Sequence, residues 1–173
     1  MKKILLSIAI SCFFGQAFSQ TNNKFEIKGI TTAFYSNSSS KKLDKVAIKV
    51  YNHNDLIDTF YSNERGKFDF KIPKNAYITL EFVKDNFVAK RILFDTRTEQ
   101  KSLNEKIKPF DLEIVLLEKM DGVDYSDLDF PITRIEYVKK MQDYYYATKY
   151  TERMLKVQEN ILLKMEDQLL SQK

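Results

Sequence analysis

The chain has 173 residues, with 28 basic and 24 acidic side chains and a formal net charge of +4. This length suits one domain of ordinary size with a short appendage, and it is small for two domains. The lysines alternate with apolar residues and form no basic stripe, so the charge pattern argues against a nucleic-acid-binding protein.

Residues 1–19 have the pattern of a signal peptide. Two lysines precede the apolar run Ile4–Phe14, which is too short to span a bilayer. Small side chains at Ala17 and Ser19 predict cleavage before Gln20, which leaves 173 − 19 = 154 residues with no transmembrane span. We therefore expect an exported protein that is periplasmic, envelope-associated or secreted.

The single cysteine, Cys12, lies inside this predicted signal peptide. The mature chain then has no disulfide, no thiol nucleophile and no Cys-based metal site. The stretch from Ala9 to Cys12 also resembles a lipobox, after which the cysteine is acylated. Because Ala9 stands where such boxes usually have leucine, we predict ordinary cleavage, with a lipid anchor at Cys12 as the alternative.

From residue 24 to residue 117 apolar and polar side chains alternate, and turn residues interrupt the alternation every dozen or so positions. This pattern is typical of strands in an all-β sandwich. Seven strands are predicted, at Phe25–Gly29, Val46–Tyr51, Leu56–Tyr61, Phe68–Ile72, Tyr77–Val83, Phe87–Phe94 and Leu112–Leu117. Polar loops are expected at Ser36–Lys42 and Arg97–Lys108.

The predicted fold is therefore a seven-stranded antiparallel β-sandwich of Greek-key or transthyretin-like topology, spanning residues 20–118 and followed by a C-terminal amphipathic α-helix. Phe68, Phe70 and Ile72 are expected to face its core, because they occupy alternate positions of one strand. Gly66 is expected to adopt a positive φ in the tight turn before that strand.

Residues 119–150 are predicted to form an acidic and aromatic linker in which Pro131 limits helix formation. Its aromatic part is rich in tyrosine, a residue suited to binding because its flat apolar face carries a polar tip. Its acidic part is too irregular for an EF-hand loop, and we expect no metal there. The aspartates concerned are Asp121, Asp124, Asp127 and Asp129.

The C-terminal segment 151–173 is predicted to contain an amphipathic helix from about Thr151, a possible cap, to Leu170. Leu155, Leu162 and Leu169 are spaced by seven residues, with Met165 beside them, so one seam runs along the helix. The seam either binds a partner protein or packs on the chain's own sandwich. Helical periodicity alone does not distinguish the two.

Residues from Glu26 to Thr96 resemble the carboxypeptidase regulatory-like domain, a transthyretin-like β-sandwich of bacterial envelope proteins. The resemblance rests on Gly29 after the first strand, on the Leu43–Ile48 stretch and on the turn and strand Ser62–Phe70. Pro73 to Tyr77 also fits the family's turn before a Tyr-bearing strand.

Three departures fall where the family has glycine, namely Lys45, Asn75 and Asn86. The asparagines tolerate a left-handed conformation, so the turns can persist. The family domain is itself non-catalytic and generally serves as an accessory module, so the resemblance implies a fold and an accessory role, with no cofactor.

The sequence offers little catalytic apparatus. Its one histidine, His53, lies in a polar turn without a partner of stated role, so we expect no enzyme and no cofactor. The first hypothesis is an exported scaffold or accessory module that binds an envelope protein. The predicted contact residues are Tyr144, Tyr145, Tyr146, Tyr150, Leu155, Leu162, Met165 and Leu169.

The alternative hypothesis is a small carbohydrate- or peptide-binding module that uses exposed aromatic residues. Its candidates are Tyr51, Tyr61 and Tyr77, which belong to three predicted strands. A cluster of these side chains on one exposed sheet face is the signature that this alternative requires.

Overall fold

The computed structural model of the protein describes residues 23–35, 40–98 and 107–171. The predicted signal peptide, its cleavage site and Cys12 lie outside the described residues. Ten strands, one short 3-10 helix at Ser126–Leu128 and one long helix, α1 (Thr148–Ser171), occur in the described part of the chain. The strands are β1 (Lys24–Phe34), β2 (Ser40–Lys42), β3 (Ala47–Asn52), β4 (Asp55–Tyr61), β5 (Lys67–Pro73), β6 (Tyr77–Val83), β7 (Lys90–Asp95), β8 (Phe110–Leu117), β9 (Thr133–Val138) and β10 (Asp143–Tyr146).

The strands form two sheets, which confirms the predicted β-sandwich with a C-terminal helix. In the first sheet β2 and β5 lie antiparallel to β1 on one side, and β8 lies parallel to β1 on the other. The second sheet has the order β10-β9-β7-β6-β3-β4. All its neighbours are antiparallel except β7 and β9. All seven predicted strands are present, and β2, β9 and β10 are additional.

The additional strands correct two sequence-based expectations. Residues 119–150 do not form a simple linker, because β9 and β10 extend the second sheet from its β7 edge. Within β9, Thr133 and Ile135 are buried while Arg134 and Glu136 are not, which is the alternation of an ordinary half-buried strand. Ser40–Lys42, expected to be part of a loop, pairs with the end of β1 instead.

Alternating inward side chains from both sheets build the main core. From the first sheet, Phe68, Phe70 and Ile72 are buried as predicted, opposite Ile48 and Val50 of the second sheet. Phe70 stacks on Phe60 of β4 with ring centroids 4.6 Å apart, so this pair joins the two sheets directly. The apolar residues at alternate positions of these strands therefore form one contiguous layer between the two sheets.

The turn before β5 depends on Gly66, whose φ is +70°. Its carbonyl accepts hydrogen bonds from the Thr31 N–H at 2.7 Å and from the Thr31 hydroxyl at 3.1 Å. A Cβ at this position would lie 2.5 Å from the Thr31 carbonyl oxygen. Both the backbone conformation and the lack of space thus require glycine, as the sequence pattern predicted.

Candidate functional site

The C-terminal helix α1 packs on the body of the protein through one row of side chains. Ile161 and Met165 are 0% and 2% exposed, and Met154, about two turns before Ile161, is also buried. Ile161 and Met165 belong to a second, smaller core that lies beside the sandwich and includes Val88 and Leu128. The helix begins three residues before the predicted start, so Thr151 is inside it, where its hydroxyl lies 2.7 Å from that of Thr133.

A second apolar row of α1 lies beside the docked row and remains partly exposed. Leu155 and Leu162 are 50% and 37% exposed, and Leu169, seven residues further, is half-buried. These three residues form the outer leucine row. The residues of the predicted seam therefore have different environments. Met165 is buried where α1 packs on the body, while the leucines remain at the surface.

Two members of the outer leucine row, Leu162 and Leu169, border a groove of about 540 Å³. Phe34 at the end of β1 lies on its other side, and Leu163 lines it beside the row. Two exposed carboxylates, Glu159 and Glu166, also line the groove. Neither forms an ion pair among the described residues. The groove is thus apolar with an acidic border.

The four predicted contact tyrosines fall into two groups. Tyr144 is buried in the main core, where its ring lies 4.5 Å from that of Phe25 and its hydroxyl donates to the Thr96 carbonyl at 3.2 Å. Burial raises the pKa of this phenol well above its usual range. Tyr145 and Tyr146 are exposed on β10.

Tyr150, on the first turn of α1, is half-buried, and its hydroxyl donates to the Pro131 carbonyl at 2.6 Å. Its ring also lies 5.1 Å from the Arg153 guanidinium. Tyr144 and Tyr150 therefore hold the C-terminal segment in place, and the structure does not gather the four tyrosines into one surface.

The three tyrosines proposed for the alternative carbohydrate- or peptide-binding site do not lie together either. Tyr51 and Tyr77 share the outer face of the second sheet near the turn that contains His53. Tyr51 donates to Glu81 at 3.3 Å, and Tyr77 lies under the Arg97 guanidinium. Tyr61 is exposed at the opposite end of the neighbouring strand β4. The three tyrosines therefore form no single stacking surface.

The acidic segment after β8 is engaged in local contacts. Asp124 accepts a hydrogen bond from the Ser126 N–H at 2.9 Å, which lowers the pKa of this carboxyl. Asp129 lies 3.9 Å from the Arg91 guanidinium. In the part of the chain that the structure describes, no group of three His, Cys, Asp or Glu residues is placed to hold a metal ion.

Sequence analysis did not single out Lys90, which lines a second cleft, of about 240 Å³, between β8 and α1. Lys90 is 4% exposed, and its Nζ donates to Oε1 of Gln158 at 2.7 Å. The burial of Lys90 could have been predicted from the sequence. Lys90, Ile92 and Phe94 occupy alternate positions of β7, so their side chains lie on the same, inward face. Glu113 and Tyr146 are the other titratable residues that line the cleft.

Burial lowers the pKa of the Lys90 ammonium from 10.5 to about 8. Below pH 8 both folded and unfolded chains carry the charge, and the folded state bears the full desolvation cost, about 3 kcal/mol. Between pH 8 and 10.5 the folded state releases its proton first, so this cost disappears as pH rises. Above pH 10.5 the lysine is neutral in both states.

Lys90→Met is therefore expected to raise the free energy of unfolding at pH 7 by about 2 kcal/mol, since the relieved cost exceeds the lost hydrogen bond. Urea unfolding of parent and variant at pH 7 and pH 10.5 measures this, and the gain should almost vanish at the higher pH. Lys84→Met, at a half-exposed lysine near Asp44, is the matched control. A variant less stable than the parent at pH 7 would contradict the assigned cost.

Comparisons with known proteins give likenesses of fold only. No family model matches the chain, and no match is found among curated proteins. A solved structure of 3-chlorocatechol 1,2-dioxygenase from Rhodococcus opacus 1CP is 10% identical, with a TM-score of 0.36, over 56% of this chain and 60% of that one.

Two further solved structures have similarly low identities and TM-scores. GBS52, the minor pilin of Streptococcus agalactiae, is 11% identical, with a TM-score of 0.40, over 60% of this chain and 48% of that one. The Bacillus anthracis TIE protein is 15% identical, with a TM-score of 0.39, over 58% of this chain and 20% of that one. The chain thus spans a fifth to three fifths of the length of these three proteins.

The expectation that the protein is not an enzyme is contradicted by this comparison. Two further matches are also dioxygenase structures, one from Pseudomonas putida and one a dioxygenase domain from Streptomyces sp. SirexAA-E. At these identities and TM-scores the likeness transfers no reaction and no catalytic residue. A β-sandwich is supported, whereas the carboxypeptidase regulatory-like assignment is not confirmed. Among the described residues, no helix is both long and apolar enough to cross a membrane.

Proposed function

We propose that this chain is an exported, envelope-associated module that binds another protein through the outer leucine row of α1. The observation that carries the proposal is that one apolar row of this helix is buried against the body while another apolar row stays exposed. Ile161 and Met165 hold it on the body, whereas Leu155 and Leu162 remain exposed and Leu162 borders a groove with Leu169. The outer leucine row does not hold α1 on the body, and an exposed apolar surface of this kind is suited to binding another protein.

The shape of the groove favours a helical occupant. Leucines seven residues apart on one helix provide the repeating contacts that a second amphipathic helix can pack between. Phe34 and Leu163 widen the apolar surface on either side of the row. Single exposed leucines are common on protein surfaces, but a continuous row bordering a groove is less so.

The charges of the groove favour a basic partner. Glu159 and Glu166 are exposed along its border and have no partner cation among the described residues. Lysine or arginine flanking the apolar face of an incoming helix would complement them and orient it. A second copy of this chain would instead bring the same glutamates to an isologous contact, where like charges repel.

The envelope location rests on the predicted signal peptide at residues 1–19, with lipidation at Cys12 as the alternative route of attachment. The backbone also supports the family resemblance. Lys45, Asn75 and Asn86, which stand where the family has glycine, have φ values of 50°, 55° and 66°. These positions thus keep the left-handed conformation that glycine favours, although the side chains differ.

Photo-crosslinking in intact cells tests the proposed function. A photoreactive residue at Leu162 is expected to give a protein adduct, and mass spectrometry should place the crosslink on a basic amphipathic helix of another protein. Tyr61, an exposed aromatic residue of β4 at the opposite edge of the second sheet from β9 and β10, is the control position and should give no such adduct. The proposal fails if position 162 gives no adduct, or if the crosslinked segment is neither basic nor helical.

A further inference from the structure

The cleft between β8 and α1 contains a cation with spare hydrogen-bonding capacity. An ammonium has three N–H donors, and the described residues give the Lys90 Nζ one acceptor, Oε1 of Gln158 at 2.7 Å. Gln158 Nε2 lies 3.5 Å from the Met154 carbonyl oxygen, which directs its Oε1 toward the lysine. No carboxylate lies within ion-pair distance of Lys90 in the described part of the chain.

One wall of the cleft is a free strand edge. Among the described strands β8 pairs only with β1. At its end, the Leu117 carbonyl accepts from Val88 across the outer edge, and the Glu118 N–H donates to Phe34 on the β1 side. Because backbone groups alternate along a strand, the N–H and C=O groups of Glu113 and Val115 point to the outer edge, which lines the cleft.

The remaining walls are mainly apolar. Ile92, Ile132 and Leu155 line the cleft, together with the aromatic ring of Tyr146. The exposed Glu113 and the hydroxyls of Thr133 and Thr151, which hydrogen-bond to each other, also line it. A small, mainly apolar enclosure with one cation is typical of a site for a compact ligand with a single charged end. Phosphate-like anions are usually held by several charged donors, and Lys90 is the one cation among the described lining residues.

We propose that this cleft is a binding site for a carboxylate with a short apolar body, either a free monocarboxylic acid or the carboxylate of an extended peptide. The carboxylate accepts hydrogen bonds from the two N–H groups of the Lys90 Nζ that Gln158 Oε1 leaves free. The apolar body lies against Ile92, Ile132 and Leu155. A buried lysine that lacks an ion-pair partner costs stability, and a ligand carboxylate would supply the missing counter-charge. This site shares Leu155 with the outer leucine row, but its cation, Lys90, lies outside the groove that Leu162 and Leu169 border.

The test is an NMR titration of the full chain with 4-methylpentanoate and with its neutral isostere 4-methylpentanamide. The acid should bind with a Kd near or below about 1 mM and shift Leu155 methyl signals, and the amide should bind at least tenfold more weakly. Lys90→Met should remove this preference, whereas Lys84→Met should keep it. Urea unfolding of Lys90→Met, which is expected to be at least as stable as the parent, distinguishes loss of binding from loss of folding.

Short peptides that end in leucine, with a free or an amidated C-terminus, distinguish the two sources of the carboxylate. Tighter binding of the free-acid peptide, with shifts at the Glu113 and Val115 amides, assigns the site to an extended peptide. Binding of the small acid alone assigns it to a free acid. The proposal is overturned if the amides bind as tightly as the acids, if Lys90→Met leaves acid affinity unchanged, or if no saturable shift occurs.

Discussion

Phe70→Ala is expected to lower the free energy of unfolding by about 3–5 kcal/mol, the cost of deleting a fully packed aromatic ring from a core. Phe70 is buried and stacks on Phe60 of the opposite sheet at 4.6 Å, and the Phe68 ring lies 5.8 Å away. The substitution therefore removes a contact within its own strand row and a contact between the sheets. Natural domains commonly have a total stability of about 5–15 kcal/mol, so the loss is severe.

Urea unfolding followed by circular dichroism measures this loss. Phe130→Ala is the matched control, because Phe130 is 67% exposed and the same truncation there should change the stability by less than about 0.5 kcal/mol. Equal stability of the Phe70 variant and the parent would mean that this ring faces solvent. The register of β5 against β1, in which Phe70 lies opposite Ile27, would then be incorrect.

The strands that the sequence predicts best are those whose alternation is local and uninterrupted. In β5, three apolar residues alternate with three charged ones directly after a glycine turn, and the observed burial follows the same order. The predicted bounds of β6, Tyr77–Val83, equal the observed ones. In both cases the side-chain period and the turn chemistry indicate the same structure.

The pairing of strands that are distant along the chain is harder to predict from the sequence than the strands themselves. β9 has a readable alternation, but its parallel pairing with β7 follows a connection of almost forty residues that no local pattern encodes. β8 likewise pairs in parallel with β1, although it follows six other strands along the chain. β2 has only three polar residues, all exposed, and therefore carries no hydrophobic signal.

The candidate sites were predictable only in part. Helical periodicity located the leucines of α1, but it could not separate Met165, which docks, from Leu162, which does not. This separation depends on where the helix meets the body, which is a property of the tertiary structure. Tyr144 was misplaced for a similar reason, because a run of tyrosines does not show which ring enters the core. The alternation of β7 indicates that Lys90 points inward, but only the tertiary structure shows that α1 covers it.

Ile161→Ala is expected to lower the free energy of unfolding by about 2–5 kcal/mol, since Ile161 is fully buried where α1 meets the smaller core. Leu162→Ala, at the adjacent residue, removes an exposed side chain of the outer leucine row. Its helix propensity is unaffected or slightly improved, so its stability should stay within about 0.5 kcal/mol of the parent. The two variants make chemically similar truncations at neighbouring positions, about 100° apart around one helix, of which one is buried and the other partly exposed.

The most direct test of a two-faced α1 is therefore the difference in unfolding free energy between Ile161→Ala and Leu162→Ala, measured by urea denaturation in one buffer. A difference of about 2 kcal/mol or more, with Leu162→Ala close to the parent, is the expected result. It would show that the outer leucine row is not required for folding and is free to bind a partner. Equal losses for the two variants would contradict this, because Leu162 would then belong to the core.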